Sequence, residues 1–140
     1  MGAATANAYA AEFDEDDYDE SVFTKSGKRA KVEEKGAWCL VVKMTFSSAE
    51  KVESFKGIFA TYVKYIQEDE PTTLSYQALY SDKEPLVVTM FERYKDKSYG
   101  YTVAHRTTPE FRTFRAALEE LGPVLDGHSY FESVKGFMTR

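Results

Sequence analysis

Apolar and polar residues alternate along a segment that starts at Trp38. Every second side chain from there to Phe46 is large and apolar, which is the period of a β-strand with one buried face. From Val52 onward the apolar positions recur every three to four residues, as in an amphipathic helix. Ser47 is predicted to cap this helix and Pro71 to end it. The body of the chain therefore starts with a strand and a long helix.

The rest of the body predicts three more strands and two more helices. The strands are predicted at residues 74–80, 86–94 and 129–134, and the helices at residues 96–105 and 108–121. Pro109 suits the first turn of the second of these helices. His128 lies beside Gly127 and is predicted to be exposed in a loop.

The order strand, helix, strand, strand, helix, strand predicts an α+β fold. A four-stranded antiparallel sheet with helices on one face, the ferredoxin-like arrangement, satisfies this order. The other face then needs a cover, and several of its predicted residues are apolar: Val41, Leu79, Val87 and Phe91. An exposed apolar sheet face predicts a homodimer in which two sheets pack face to face, as in a dimeric α/β barrel.

Charge divides the chain into two parts. Residues 1–24 carry seven acidic and no basic side chains, whereas residues 25–35 carry five basic and two acidic ones. Such segments bury too little apolar surface to offset the loss of chain entropy on folding. We therefore predict a charged, flexible tail over residues 1–36 and one domain over residues 37–140, with the acidic tail available to a protein partner.

Composition argues against several classes of function. The body has no basic stripe for nucleic acid and no apolar run long enough for a membrane span. Two histidines and one cysteine show no spacing typical of a metal site, and no glycine-rich phosphate loop is present. The lone Cys39 excludes an intrachain disulfide and favours a reducing compartment, for which we predict the cytoplasm.

Four short motifs occur in order along residues 37–135. They are Glu70-Pro71 before the second strand, Glu92-x-Tyr94-x-Asp96 at the end of the third, His105, and Thr108-Pro109-Glu110-Phe111 at the last helix. In this order and spacing the chain resembles the antibiotic biosynthesis monooxygenase family of dimeric α/β barrels. It departs from the family pattern where Thr72-Thr73 replaces a glycine, where Tyr94 replaces a tryptophan, and where the interval before His105 is about two residues longer.

The resemblance implies a cofactor-independent monooxygenase, or a related proton-transfer enzyme, that acts on a small aromatic, quinol-type or carbonyl compound without metal or flavin. A base, oxyanion donors and an apolar cavity are sufficient for that chemistry. His105 would be the base, since its ordinary pKa lies near neutrality. Tyr94 and Tyr76 would donate hydrogen bonds to developing charge on oxygen, and Glu92 would orient the imidazole or a bound water.

A non-catalytic interpretation stays open beside this one. His105 would then be a hydrogen-bonded structural residue, Tyr76 and Tyr94 core aromatics, and Glu92 the ion-pair partner of a nearby base: Arg93, Arg106 or Arg112. The domain would keep its barrel for dimerisation or ligand binding, and the charged tail would recruit a protein partner. Whether His105 and Tyr94 point into a common cavity between sheet and helices separates the two interpretations.

Overall fold

The computed structural model describes residues 36–140, so the tail predicted over residues 1–36 lies, apart from Gly36, outside the described residues. Four strands and three helices follow one another along this part of the chain. They are β1 (Trp38–Thr45), α1 (Ala49–Asp69), β2 (Thr73–Tyr80), β3 (Val87–Tyr94), a π-helix (Lys97–His105), α2 (Pro109–Leu121) and β4 (Val124–Phe131). The predicted α+β order is confirmed.

The four strands form one antiparallel sheet in the order β2-β3-β1-β4. In the middle of β1, Val42 lies between Met90 of β3 and Gly127 of β4. β1 and β2 run parallel with β3 between them, and β3 and β4 run parallel with β1 between them. Parallel strands need a crossover connection, and α1 and the π-helix with α2 supply the two crossovers. This is the predicted ferredoxin-like sheet.

Local sequence explains where the two α-helices begin. The Ser48 side chain, and not the predicted Ser47, caps α1 by accepting a hydrogen bond from the backbone N–H of Lys51 at 3.3 Å. Thr108 caps α2 through the N–H of Phe111 at 3.0 Å, with Pro109 at the first helical position as predicted.

The prediction for the last strand was wrong in its bounds. We expected residues 129–134, but β4 runs from Val124 to Phe131. Gly122 ends α2 in the left-handed conformation, with φ of 61°, and the chain enters the strand almost at once. His128 accordingly lies in this strand opposite Val41 and not in a loop, although its side chain is exposed as predicted.

The core lies between the sheet and the helices. On β1 and β3 alternate side chains face the helices and are buried, as the period of two predicts. The strand members of the core include Trp38, Leu40, Val42, Met44, Val88, Met90 and Tyr94, and the helix members include Val52, Phe55, Tyr62, Ile66, Phe111, Phe114 and Leu118.

The opposite face of the sheet, called here the outer face, carries the apolar residues predicted for it. Leu79 is 51% exposed, while Val41, Val87 and Phe91 are half-buried. Residues 132–138 follow β4 and border a cavity of about 320 Å³ over this face; its lining includes Cys39, Val41, Phe91, Tyr130, Phe137 and Met138. The chain's own C-terminal residues therefore contribute to the surface on that side.

Within residues 36–140, none of the helices combines the length and the apolar character that a bilayer crossing requires.

Candidate functional site

The four residues singled out from the sequence lie together at one end of the core. The ring of His105 lies 5.1 Å from that of Tyr94 and 5.6 Å from that of Tyr76, measured between centroids. Its Nε2 atom is 3.9 Å from Oε1 of Glu92. His105 is only 1% exposed, so these groups meet in the interior and not at the surface.

Strand alternation positions three of them. Glu92 and Tyr94 are two residues apart on β3 and both face the helices. Tyr76 is the residue of β2 opposite Glu92. The placement of these side chains therefore follows from the register of two neighbouring strands.

The π-helix brings His105 to the same place. The Asp96 side chain caps it by accepting hydrogen bonds from the N–H groups of Tyr99 at 2.8 Å and Gly100 at 2.9 Å. These backbone donors lower the pKa of Asp96. Wide-turn hydrogen bonds then join Tyr101 N–H to Asp96 O and Arg106 N–H to Tyr101 O. A wide turn takes up more residues than an α-helical one, which accommodates the long interval before His105.

Glu70 is a member of this cluster that the sequence analysis missed. It ends α1, is 3% exposed, and places Oε1 2.9 Å from Nδ1 of His105. An ionised carboxylate can only accept, so with Glu70 ionised the hydrogen lies on Nδ1 and Nε2 of a neutral imidazole is the basic atom. Glu70 was named from the sequence only as part of the Glu70-Pro71 motif and was given no role at the site; its position before Pro71 was the one available signal.

Aromatic side chains surround the imidazole. The Tyr62 hydroxyl oxygen lies 3.4 Å from both ring nitrogens of His105, and the rings of Tyr101 and Phe111 lie 6.0 and 5.2 Å from it. In the sequence Tyr62 has the spacing of an ordinary core residue of α1, so no pattern distinguished it. The histidine thus has an aromatic enclosure as well as two carboxylate neighbours.

Burial changes the titration of the residues on β3. Loss of hydration raises the pKa of Glu92, although His105 and a hydrogen bond from the Tyr94 hydroxyl oppose the rise. Burial, together with the adjacent Glu92 carboxylate, raises the pKa of Tyr94 well above its usual range. The alternative in which Glu92 pairs with a neighbouring arginine is wrong for Arg93, which faces the other way and pairs with Glu132 at 2.7 Å.

Two side-chain oxygen atoms are buried without a hydrogen-bond partner among residues 36–140, and one of them belongs to Glu70, the neighbour of His105. They are Oε2 of Glu70 and the hydroxyl oxygen of Thr72. Leaving a buried acceptor unsatisfied costs about 1–3 kcal/mol, and more when the group is charged. Each such atom needs an explanation, such as an ordered water molecule or a role at a functional site.

A groove runs between α1 and α2 and has a volume of about 370 Å³. We call it the α1–α2 groove; its lining includes Gly57, Ile58, Thr61, Tyr62, Tyr65, Pro109, Glu110, Thr113, Phe114 and Ala117. His105 and Tyr94 are not among the lining residues, so they share a packed cluster and neither borders this groove. Tyr62 is the residue that belongs to both the groove and the cluster.

In the part of the chain that the structure describes, no group of three or more histidine, cysteine, aspartate or glutamate side chains has the arrangement of a metal site.

Residues 39–117 match the family model described as antibiotic biosynthesis monooxygenase. No curated protein sequence matches the chain. Among solved structures, the chain is similar to a conserved protein from Methanosarcina mazei, with 22% identity over 71% of this chain and 96% of that one and a TM-score of 0.61.

Two further structural neighbours come from Streptomyces. One is SnoaB from Streptomyces nogalater, described as a cofactor-independent oxygenase, with 14% identity over 72% of this chain and 99% of that one and a TM-score of 0.59. The other is a monooxygenase from Streptomyces coelicolor, ActVA-Orf6, solved in complex with nanaomycin D, with 14% identity over 75% and 95% and a TM-score of 0.61. At these identities the likeness shows the fold alone.

Proposed function

Because the chain belongs to the antibiotic biosynthesis monooxygenase family, we propose that it is a cofactor-independent monooxygenase, or a related proton-transfer enzyme, for a small aromatic, quinol-type or carbonyl compound. The observation that carries this proposal is the buried His105, which lies between the carboxylates of Glu70 and Glu92. An imidazole with one nitrogen fixed by a carboxylate is the arrangement of a general base.

His105 accepts the acidic proton of the substrate at Nε2. The Glu70 carboxylate, 2.9 Å from Nδ1, holds the ring in the required tautomer and stabilises the imidazolium that forms. Glu92 faces the basic nitrogen at 3.9 Å and adds negative charge when it is ionised. Each of these interactions is stronger in the buried cluster than it would be in water.

The oxygen step needs only the substrate anion and dioxygen. With anthrone as the model compound, loss of a C–H proton to His105 gives a delocalised carbanion. That carbanion transfers electrons to dioxygen and forms a C–O bond, and the resulting peroxide loses water as its O–O bond breaks. The products are a ring carbonyl and one water molecule, which balances one substrate and one dioxygen. The description of SnoaB as a cofactor-independent oxygenase supports this choice.

Tyr94 and Tyr76 stabilise negative charge in this scheme. The raised pKa of Tyr94 keeps its hydroxyl protonated, but that proton is donated to Glu92, so Tyr94 can serve an oxyanion only by giving up this hydrogen bond. Tyr76 lies on the neighbouring strand, with its ring 5.6 Å from that of His105. Preorganised donors of this kind are suited to an oxyanion that develops during the reaction.

Residues 37–140 form the functional unit of this proposal, as a homodimer that packs outer face on outer face. The exposed Leu79 and the half-buried Val41 and Phe91 support it. The cytoplasmic location in this proposal rests on the lone Cys39, which can form no intrachain disulfide. Sedimentation at several concentrations tests the dimer, and a species of single-chain mass would contradict it.

One observation favours a non-catalytic ligand-binding or dimerisation module. The rings of Tyr94, Tyr101 and Phe111 pack directly against His105, and the α1–α2 groove does not reach the imidazole. In that case the acidic part of the tail, not the cluster, carries the function by recruiting a protein partner.

Oxygen uptake with anthrone and 1,4-naphthoquinol separates the two functions. We expect His105→Ala to lower the rate by about 10²–10⁴-fold, the usual contribution of a general base. His128→Ala is the control at the second of the chain's two histidines; because His128 lies on the outer face, its sedimentation is measured beside its rate to show that the assembly is unchanged. Equal rates in wild type and His105→Ala would remove His105 from the mechanism, and no uptake by the wild type would favour the non-catalytic module.

A further inference from the structure

We propose that residues 97–104 of the π-helix, which include Tyr101, form a gate over His105 and swing away from the imidazole to admit a substrate. We call these residues the gate. Its part in catalysis rests on the proposed function, because a base that is 1% exposed needs a route from the solvent. Three features support the gate itself: its thin cover over His105, its loose attachment, and the firm attachment of its two ends.

A single aromatic ring covers His105 on the side of the π-helix. Tyr101 stacks on the imidazole, with ring centroids 6.0 Å apart and planes 24° apart. The guanidinium group of Arg106, a half-buried residue, lies 5.7 Å from the centroid of the same Tyr101 ring. Tyr101 therefore contacts both the buried base and a side chain that reaches the solvent. Displacing this one ring is enough to expose the imidazole.

The gate is held loosely by the apolar core. Of the nine described residues of the π-helix, three are buried, namely Gly100, Tyr101 and His105. Tyr99 and Val103, by contrast, are 57% and 45% exposed. Segments that bury few apolar side chains open at a low free energy while the rest of the fold stays intact. π-Helical turns are also rare and occur frequently at functional sites.

Hydrogen bonds fix the chain at both ends of the gate. Before it, the backbone N–H of Lys95 donates to the carbonyl oxygen of Thr72 at 2.9 Å. After it, Oε1 of Glu70 lies 2.9 Å from Nδ1 of His105, and the Thr108 hydroxyl donates to the carbonyl oxygen of His105 at 3.3 Å. The imidazole therefore keeps its position while the residues of the gate move.

The other walls around His105 are held more firmly than the gate. Tyr76 and Tyr94 belong to β2 and β3, which are paired along their length in the sheet. Tyr62 of α1 stacks on Phe114 of α2, with ring centroids 4.5 Å apart, and both rings are buried in the core. Movement of these elements would break the strand pairing or open the core, so the gate is the route of lowest cost.

Gly100 allows the gate to be locked by a disulfide. A Cβ added at Gly100 would lie 3.6 Å from the Cβ of Thr72, and disulfides join Cβ atoms about 3.5–4.5 Å apart. Among the described glycines only Gly122 has a positive φ, so the backbone at Gly100 accepts a side chain. The variant Gly100→Cys/Thr72→Cys, made with Cys39→Ala to remove the chain's one cysteine, joins the gate to the turn before β2.

Modification of His105 by diethyl pyrocarbonate measures access to the imidazole without any turnover. Mass spectrometry of the peptide that carries His105 follows the reaction. Wild type should react slowly, and the oxidised double variant should react at least tenfold more slowly than its reduced form and than either single cysteine variant. Equal rates in the oxidised and reduced forms, or no reaction in wild type, would overturn the gate.

Removing the cover tests the gate without a disulfide. Tyr101→Ala should speed the modification of His105 at least tenfold, whereas Phe111→Ala, which removes a ring 5.2 Å from His105 but on α2, should speed it less. An equal or larger increase in Phe111→Ala would overturn the assigned route.

Urea separates opening of the gate from global unfolding. Because opening exposes little surface, the rate of modification in wild type should change little with urea below the unfolding transition. A steep rise in that range would show that His105 reacts through global unfolding and would overturn the gate.

Oxygen uptake with anthrone distinguishes failure of the gate from failure of the proposed function. The oxidised double variant should consume oxygen at least tenfold more slowly than its reduced form. A wild type that shows the gate by modification of His105 but consumes no oxygen would overturn the enzyme while the gate stands. Equal oxygen uptake in the oxidised and reduced double variant would overturn the gate while the enzyme stands.

Discussion

The two ends of the core lie under the same helices but differ in chemistry. At one end Met44, Phe46, Phe55 and Val88 form a fully apolar cluster, with the rings of Phe46 and Phe55 5.5 Å apart. At the other end His105 lies equally deep but contacts two carboxylates, the Tyr62 hydroxyl and several tyrosine rings. Sheet register and helix packing explain the apolar side chains at the first end. They also explain the positions of the residues at the second end, but not why those residues are titratable.

This difference separates stability from function. Burying an apolar ring stabilises a fold, whereas burying a carboxylate costs free energy unless partners compensate for it. An apolar cluster at both ends would make a more stable protein of the same fold. We therefore expect substitutions at the apolar end to reduce the free energy of unfolding, and substitutions at the His105 end to change activity and pH dependence more than stability.

The largest loss of stability is expected for Phe55→Ala at the apolar end. Phe55 is 0% exposed and packs between the sheet and α2, so its truncation should lower the free energy of unfolding by about 3–5 kcal/mol. Urea denaturation measures this change. Oxygen uptake per mole of folded protein should stay within a few fold of wild type, and a parallel collapse of activity would show that the two ends are not separable.

A smaller loss is expected for Glu70→Ala at the His105 end. It leaves Nδ1 of His105 buried without its acceptor at 2.9 Å and should cost about 1–3 kcal/mol. Glu70→Gln keeps an acceptor oxygen and should restore most of that stability, yet its turnover should stay low because an amide does not stabilise an imidazolium as a carboxylate does. Wild-type turnover in Glu70→Gln would contradict the positioning role.

The next effect appears in the pH dependence of stability. Because burial raises the pKa of Glu92 in the folded protein, its protonated form is favoured there. The contribution of Glu92 to the free energy of unfolding is fully present below its ordinary pKa of 4.5. It is lost as the pH rises through the pKa that Glu92 has in the folded protein. Relative to Glu92→Gln, wild type should therefore become less stable as the pH rises above 4.5, measured by urea denaturation at a series of pH values.

Asp96 is the control for Glu92, because its pKa is shifted in the opposite direction. Its pKa is lowered by backbone donors, so its contribution is present above its ordinary pKa of 3.8 and is lost as the pH falls through the folded value. Relative to Asp96→Asn, wild type should therefore gain stability as the pH rises. Differences of the same sign for the two variants would contradict the assigned environment of Glu92.

The smallest effect is expected for Gly57→Ala in the helix that covers both ends. Alanine is favoured over glycine in a helix interior by about 1 kcal/mol, and the added methyl group meets nothing within 4 Å. The variant should therefore unfold at a slightly higher urea concentration. A destabilised variant would show that glycine at this position is required by packing and not by an open groove.

Periodicity was enough to predict the fold and part of the cluster. Strand alternation placed Glu92 and Tyr94 on one face, and the order of elements predicted the sheet. Periodicity failed to predict contacts that depend on where helices end. Glu70 contacts His105 because α1 ends at Glu70 and the π-helix ends at His105 beside it. Tyr62 was missed because a core tyrosine and a tyrosine beside a base have the same helical spacing.

The most direct test of the central claim is the absorption spectrum of anthrone mixed with the protein in the absence of oxygen. If His105 accepts the substrate proton, wild type and His128→Gln should show the coloured anthrone anion, and His105→Gln should show only neutral anthrone. An anion band of equal size in His105→Gln, or no band in wild type, would contradict the assignment of His105 as the base.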